Sequence, residues 1–150
     1  MPIIKLTLEY DGTAYAGWQR QPNQPTVQAA VEAAIAGVTQ INTPVIGAGR
    51  TDAGVHAMGQ VASFHINRDM TPREWTRALN AHLPKSIVVR SVALMPDTFH
   101  ARHSAKGKLY EYRILNRPER PAVERDYYWH IHQPLDDVAM NQAGLALIGP

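Results

Sequence analysis

The segment Gly49-Arg50-Thr51-Asp52-Ala53-Gly54-Val55-His56 gathers residue types that can do chemistry at close spacing. One carboxylate, Asp52, stands two residues after the guanidinium of Arg50 and between two glycines, in a stretch too irregular to be helix or strand. Gly49 and Gly54 allow backbone angles that a Cβ forbids, and they let a ligand approach the main chain closely. Arg50 can hold Asp52 ionised or grip a phosphate through two parallel hydrogen bonds. Reactive carboxylates are presented in this way. A tight turn closed by a surface ion pair uses the same residue types, so the octapeptide alone leaves both readings open.

The flanking sequence predicts the elements that would position this loop. From Ile3 to Tyr10, residues Ile4, Leu6, Leu8 and Tyr10 fall on one face and Lys5, Thr7 and Glu9 on the other, the period of a half-buried strand. A loop rich in Gly, Gln, Asn and Pro runs from Asp11 to Pro25, and Thr26 can cap the helix that follows. The apolar positions Val27, Ala30, Val31, Ala34, Ile35 and Val38 of that helix form one stripe. A short strand over Pro44 to Gly47 leads into the octapeptide and a strand over Gln60 to Ile66 leaves it, which places Asp52 on a strand-to-strand connection. Thr71-Pro72-Arg73-Glu74 has capping-box spacing, with Trp75, Ala78, Leu79 and His82 on one helical face beyond it. Ile87 to Met95 is a nearly continuous apolar strand. Lys106 to Asn116 alternates, with Lys108, Tyr110, Tyr112 and Ile114 on one side. The expected class is α+β, a ferredoxin-like (RNP-like) antiparallel sheet backed by helices. Residues 1–116 form the first part and 117–126, opening with Arg117-Pro118-Glu119-Arg120-Pro121, a mobile linker; a strand over Tyr127 to His132 and a helix from about Asp136 to Ile148 lie in 127–150.

Composition narrows the possibilities. A length of 150 residues suits one domain, and 45% apolar residues are ample for a core. With no cysteine, disulfides, thiolate chemistry and a cysteine metal site are excluded. No basic segment followed by an apolar run opens the chain, and no apolar run is long enough to cross a bilayer, so the reading is cytoplasmic with no membrane partner. The net charge is only +2, yet eleven arginines against four lysines and a pI near 9.0 suggest a polyanionic partner held by forked guanidinium groups.

The octapeptide resembles the signature loop of the tRNA pseudouridine synthase A family. The resemblance runs the length of the chain: Tyr10-Asp11-Gly12-Thr13 with Tyr15-Ala16-Gly17-Trp18-Gln19 is similar to the family's opening motif, and Thr26-Val27-Gln28 to the start of its first helix. Asn80 to Pro84, Phe99-His100-Ala101-Arg102 with Ser104-Ala105, and Lys108-Leu109-Tyr110-Glu111-Tyr112 follow in the family's order. The resemblance implies a pseudouridine synthase fold, truncated here before most of a second, similar half, with 127–150 as its start. It implies Asp52 as the catalytic nucleophile, Tyr110 as the aromatic residue facing the target base and Arg50 as the electrostatic partner of Asp52. The implied substrate is uridine in the anticodon stem-loop of tRNA, the implied working form a homodimer, and no cofactor is implied.

Moving a uracil from an N1 to a C5 glycosidic link involves no redox change. A carboxylate can serve as nucleophile at C1' or C6, or as base and stabiliser of an oxocarbenium-like centre by a glycal route. The residue types leave all of these open. The target base must be flipped out of its stack, and Tyr110 could offset part of that cost by stacking or relay the C5 proton; a tyrosine on an alternating strand also packs on helices, the role expected of Tyr112. Arg20, Arg102, Lys106 and Lys108, with Arg68 and Arg73, are candidate phosphate contacts, and each is equally readable as solvated charge. Trp18 could close the site or lie in the core. His56, His100 and His103 lack the second nearby acid that a catalytic metal usually needs, so the expectation is no metal; His130 and His132 read as surface or interface residues. A catalytically inactive RNA-binding fragment, a metal-dependent hydrolase and a dimerisation module are the alternatives.

Overall fold

Residues 3–149 are described by a computed structural model, a mixed α/β structure with an antiparallel sheet and three helices. The chain divides into one compact unit ending at Gly107 and another beginning at Lys108.

In the first unit the period-two pattern becomes strand β1 (Ile3–Tyr10), with Ile4, Leu6, Leu8 and Tyr10 all buried. β1 is central to a four-stranded sheet in the order β2-β3-β1-β4, where β2 is Ile46–Gly47, β3 is Ala57–His65 and β4 is Ile87–Met95. All three pairings are antiparallel. Ile4 lies opposite Phe64 and Leu94, and Leu6 opposite Ala62 and Val92, so these residues share one face of the pleat. β2 is shorter than the expected Pro44 to Gly47 strand, whereas β3 starts at Ala57 rather than Gln60. β4 matches its expected span but is an outer strand, with Ile87 and Val89 buried and Val88 exposed.

Two helices complete this unit's core. α1 (Val27–Thr39) is capped by Thr26, whose hydroxyl accepts from Ala29 N–H, and it buries Val27, Val31, Ala34 and Ile35. α2 (Pro72–His82) has the expected capping box: Thr71 Oγ1 accepts from Glu74 N–H at 3.3 Å, and Glu74 Oε2 accepts from Thr71 N–H at 2.8 Å. The two bonds from Thr71, backbone first, hold the Glu74 carboxyl below the usual glutamate range. A depressed acid contributes stability above its unfolded pKa and loses it as pH falls through the folded value, so this cap weakens only on acidification. Trp75 and Leu79 from α2 are fully buried, and Trp75 meets Phe64 edge-on at 5.4 Å between ring centroids.

In the second unit β5 (Ile114–Asn116) pairs in parallel with β6 (Trp129–Ile131), and α3 (Asp137–Leu145) starts from an Asp136 cap. Asn116 Nδ2 donates to the carbonyls of Ile131 and Gln133 at 2.8 and 2.7 Å, and its Oδ1 accepts from Leu135 N–H. One expectation is corrected here. The alternating run from Lys106 to Asn116 becomes strand only at its last three residues, and 106–113 are exposed with no ladder. Alternation marks what a strand would bury, but a strand also needs a neighbour for its peptide groups, and β6 offers three residues. Tyr110 and Tyr112 therefore share no strand face. Among the described residues no helix is long and apolar enough to cross a membrane.

Replacing Trp75 by Ala should cost the first unit about 3–5 kcal/mol, because a large buried ring leaves a cavity between helix and sheet. Urea unfolding followed by circular dichroism measures this, and a loss under about 1 kcal/mol would show that the core does not rest on this contact.

Candidate active site

Residues 48–56 connect β2 to β3, as the spacing predicted. Ala48 N–H still bonds across the sheet to the Val61 carbonyl at 2.8 Å, after which the regular ladder stops. Beyond it, alternate residues are fastened from the core side. The Gly49 carbonyl accepts from Gln60 Nε2 at 2.8 Å. Thr51 Oγ1 lies 2.8 Å from the Tyr10 hydroxyl, and the Thr51 carbonyl accepts from Trp18 N–H at 2.9 Å. The residues between and after them, Arg50 and Asp52, are exposed.

The loop then turns back. Val55 N–H donates to the Asp52 carbonyl at 3.2 Å, and Gly54, third in this turn, has φ 77°, the left-handed value a type II turn requires there. Gly54 N–H donates to the Tyr15 carbonyl at 3.2 Å. Gly49, which could also adopt such an angle, does not; among the described residues Gly17 is left-handed as well, at φ 99°.

Most of these partners come from the end of β1 and the loop after it. A Cβ on Gly12 would collide with the Val55 carbonyl, and one on Gly17 would stand 2.6 Å from the Thr51 carbonyl oxygen. Gly47 yields similarly to the Trp18 indole. Trp18 is buried, 6.2 Å from Tyr10 between ring centroids, which settles its two sequence readings in favour of the core. The β1–β3 register shifts between Leu8 and Tyr10, and bulges of this kind re-aim side chains beside functional loops. Burial pushes the Tyr10 phenol above its usual pKa, partly opposed by hydrogen bonds with Thr51 and Gln60. Its contribution is therefore complete below its unfolded pKa and is lost as pH rises through the raised value.

His56 braces the far end. Its Nδ1 lies 3.0 Å from Gly12 N and 3.1 Å from Asp11 Oδ1. One nitrogen cannot accept and donate at once. Because Asp11 Oδ1 already accepts from the Thr13 N–H and hydroxyl at 3.0 and 2.6 Å, the tautomer protonated at Nε2, which meets the buried Gly12 N–H, satisfies more groups.

The remaining candidates are distributed as follows. Arg50 and Asp52 share the loop, but no ion pair joins them among the described residues. Arg20, Arg102 and Lys106 are all exposed, and Arg20 is engaged by Glu32 at 3.0 Å. Tyr110, 64% exposed, and Lys108 belong to the second unit. His100 Nδ1 accepts from the N–H groups of Arg102 and His103, and its ring lies 4.2 Å from that of His103. Among the described residues no group of three or more histidine, aspartate or glutamate side chains could hold a metal ion. The supporting roles of Gln28 and Glu32 escaped the sequence reading, although a glutamate inside an apolar helix was a signal. Glu32 Oε1 accepts from Val45 N–H and Gln28 Nε2, and Gln28 Oε1 accepts from Arg20 N–H.

Comparison with known proteins shows the family to which the chain belongs. Residues 7–104, more than half of the chain, match the family described as tRNA pseudouridine synthase. A tRNA pseudouridine synthase A from Allorhizobium ampelinum is 49% identical over 99% of this chain and 59% of its own length. The protein of that name from Bradyrhizobium sp. is also 49% identical, and tRNA pseudouridine synthase A 2 of Clostridium perfringens is 46% identical; each alignment covers 99% of this chain and 61% of the relative. The chain thus spans about three fifths of the length of these curated relatives.

The two left-handed glycines should respond differently to a methyl group. Gly54→Ala meets open space and should cost only the conformational term of about 1–2 kcal/mol, whereas Gly17→Ala must also displace the Thr51 carbonyl and should cost more. Equal unfolding midpoints for the two variants in urea would contradict this packing.

Proposed function

We propose that this chain, which belongs to the tRNA pseudouridine synthase family, isomerises uridine to pseudouridine in tRNA with Asp52 as its nucleophile. The observation that carries the proposal is the loop itself: Gly49, Thr51 and Gly54 are fastened to the core while Asp52 between them is exposed. A carboxylate on a rigid main chain, open to one side, is suited to attack on a base or sugar delivered from solution. The names of the relatives support tRNA as the substrate class.

In the reaction the C1'–N1 bond breaks, the uracil turns, and a C1'–C5 bond forms. The C5 proton leaves to solvent and N1 gains one, so atoms and electrons balance without a cofactor. Attack by Asp52 at C1' or at C6 satisfies this balance, as does a glycal route in which Asp52 is the base. Arg50 supplies positive charge beside Asp52, and Tyr110 is the aromatic residue that would face the flipped base. The family resemblance extends the reading to uridines of the anticodon stem-loop and to a cytoplasmic homodimer. On the same reading 1–116 is the catalytic half, its sheet order and antiparallel pairing fitting a ferredoxin-like arrangement, 117–126 is a linker and 127–150 begins a second half.

In the natural full-length protein, Asp52→Asn should abolish tritium release from C5-labelled uridine in tRNA while retaining tRNA binding by gel shift. Release at more than a trace would refute the nucleophile assignment, and binding with no release even from the unsubstituted protein would favour the RNA-binding alternative.

Binding should weaken with salt, the logarithm of affinity falling with a slope of about 0.7 to 0.9 per phosphate neutralised. Charge reversal at Arg102 or Lys106 should lower affinity more than reversal at Arg20, whose guanidinium Glu32 already engages. A salt-independent affinity, or equal effects at all three positions, would remove Arg102 and Lys106 from the RNA footprint.

A further inference from the structure

Tyr10 ends β1 as a buried phenol, and packing alone does not explain its hydroxyl. A phenylalanine ring would fill the same space against Trp18, and burying a hydroxyl is unfavourable unless it is bonded. This hydroxyl is bonded to Thr51 Oγ1 at 2.8 Å across 41 residues of sequence. The Gly49 carbonyl is held separately, by Gln60 Nε2. Thr51 is gripped a second time, its carbonyl accepting from Trp18 N–H at 2.9 Å. The peptide entering Asp52 is fixed by that bond, and the peptide leaving it by the Asp52 carbonyl and Val55 N–H. Asp52 thus sits between two fastened peptides, with its own side chain exposed.

We propose that Tyr10 and Thr51 are positioning residues: their hydroxyl pair sets the direction in which Asp52 leaves the loop, and so the rate at which its carboxylate engages substrate. The proposal rests on Asp52 being the acting carboxylate. Neither residue touches substrate in this scheme. Both act through the main chain of Asp52, where a misplacement of about 1 Å can cost on the order of a hundredfold in rate. Removing one hydroxyl relaxes the grip only in part, because Trp18 keeps the Thr51 carbonyl, so a smaller effect is expected.

The test uses the natural full-length protein and four variants: Tyr10→Phe, Thr51→Val, Thr51→Ser and the Tyr10→Phe/Thr51→Val double. Tyr10→Phe and Thr51→Val should each lower kcat about tenfold and leave KM for tRNA within about twofold. Thr51→Ser should recover most of the rate, and the double variant should be no slower than either single one, since both remove the same bond. Additive losses, a Thr51→Ser as slow as Thr51→Val, or an effect confined to KM would overturn the proposal. Hydrogen exchange on the same proteins gives a readout independent of activity. In Tyr10→Phe the Trp18 and Gly54 amides should exchange about tenfold faster while β1 and β3 amides keep their protection. Unchanged Trp18 and Gly54 amides would show that the hydroxyl does not hold the loop. Unsubstituted protein that forms no pseudouridine would refute the functional reading, and the exchange result would still decide whether the pair fastens the loop.

Discussion

Between Ala48 and Ala57 the chain has no ladder of its own, so the peptide groups of the Asp52 loop must find partners in another segment. A buried peptide group left unpaired costs about 1–3 kcal/mol, which makes this demand comparable to any packing term in a small unit. The partner is the end of β1 and the irregular stretch after it: Trp18 N–H meets the Thr51 carbonyl and the Tyr15 carbonyl takes the Gly54 N–H, while the Tyr10 hydroxyl and the Gly12 N–H fasten the Thr51 and His56 side chains. Two irregular segments approach this closely only where side chains are missing. That is why Gly12 and Gly17 face the Val55 and Thr51 carbonyls. The glycines meet an inter-segment requirement first and a conformational one second, and only Gly17 combines both.

On the proposed reading of Asp52 as nucleophile, this arrangement reconciles two opposed needs of a reactive carboxylate. Its main chain must be rigid, yet its side chain must stay reachable and hydrated until a ligand arrives, because desolvating an ionised carboxylate without a partner is unfavourable. Fastening Gly49, Thr51 and Gly54 supplies the rigidity without covering Asp52.

The sequence disclosed those parts of the structure whose causes are local. The alternation of Ile4, Leu6, Leu8 and Tyr10 identified β1 because one face of the sheet is covered by helices. Thr71 and Glu74 identified the start of α2 because a capping box is complete within four residues. The strand patterns on either side of the octapeptide placed Asp52 on a strand-to-strand connection. What escaped was long-range. Nothing near Tyr10 says that its hydroxyl meets Thr51, and nothing near Gly17 says that a carbonyl 34 residues later (51 − 17) lies against it. The run from Lys106 to Arg113 failed for the complementary reason: its local pattern suits a strand, but pairing depends on a neighbour that the pattern does not encode.

Helix α1 closes the chain of support. The first N–H groups of a helix have no partner within it, and here Val27 N–H and Gln28 N–H donate to the carbonyls of Gly17 and Trp18 at 3.2 and 3.0 Å. One turn further on, Glu32 takes the Val45 N–H and the Arg20 guanidinium, with only 12% of its side chain exposed. A single rigid helix therefore registers both the loop that holds Thr51 and the segment that enters β2. Because α1 is itself seated by the buried Val31 and Ile35, the position of Asp52 is set by the core through three successive contacts: helix to Trp18, Trp18 to Thr51, and Thr51 to its neighbour. A disturbance in α1 should thus reach the carboxylate without touching any residue of the loop.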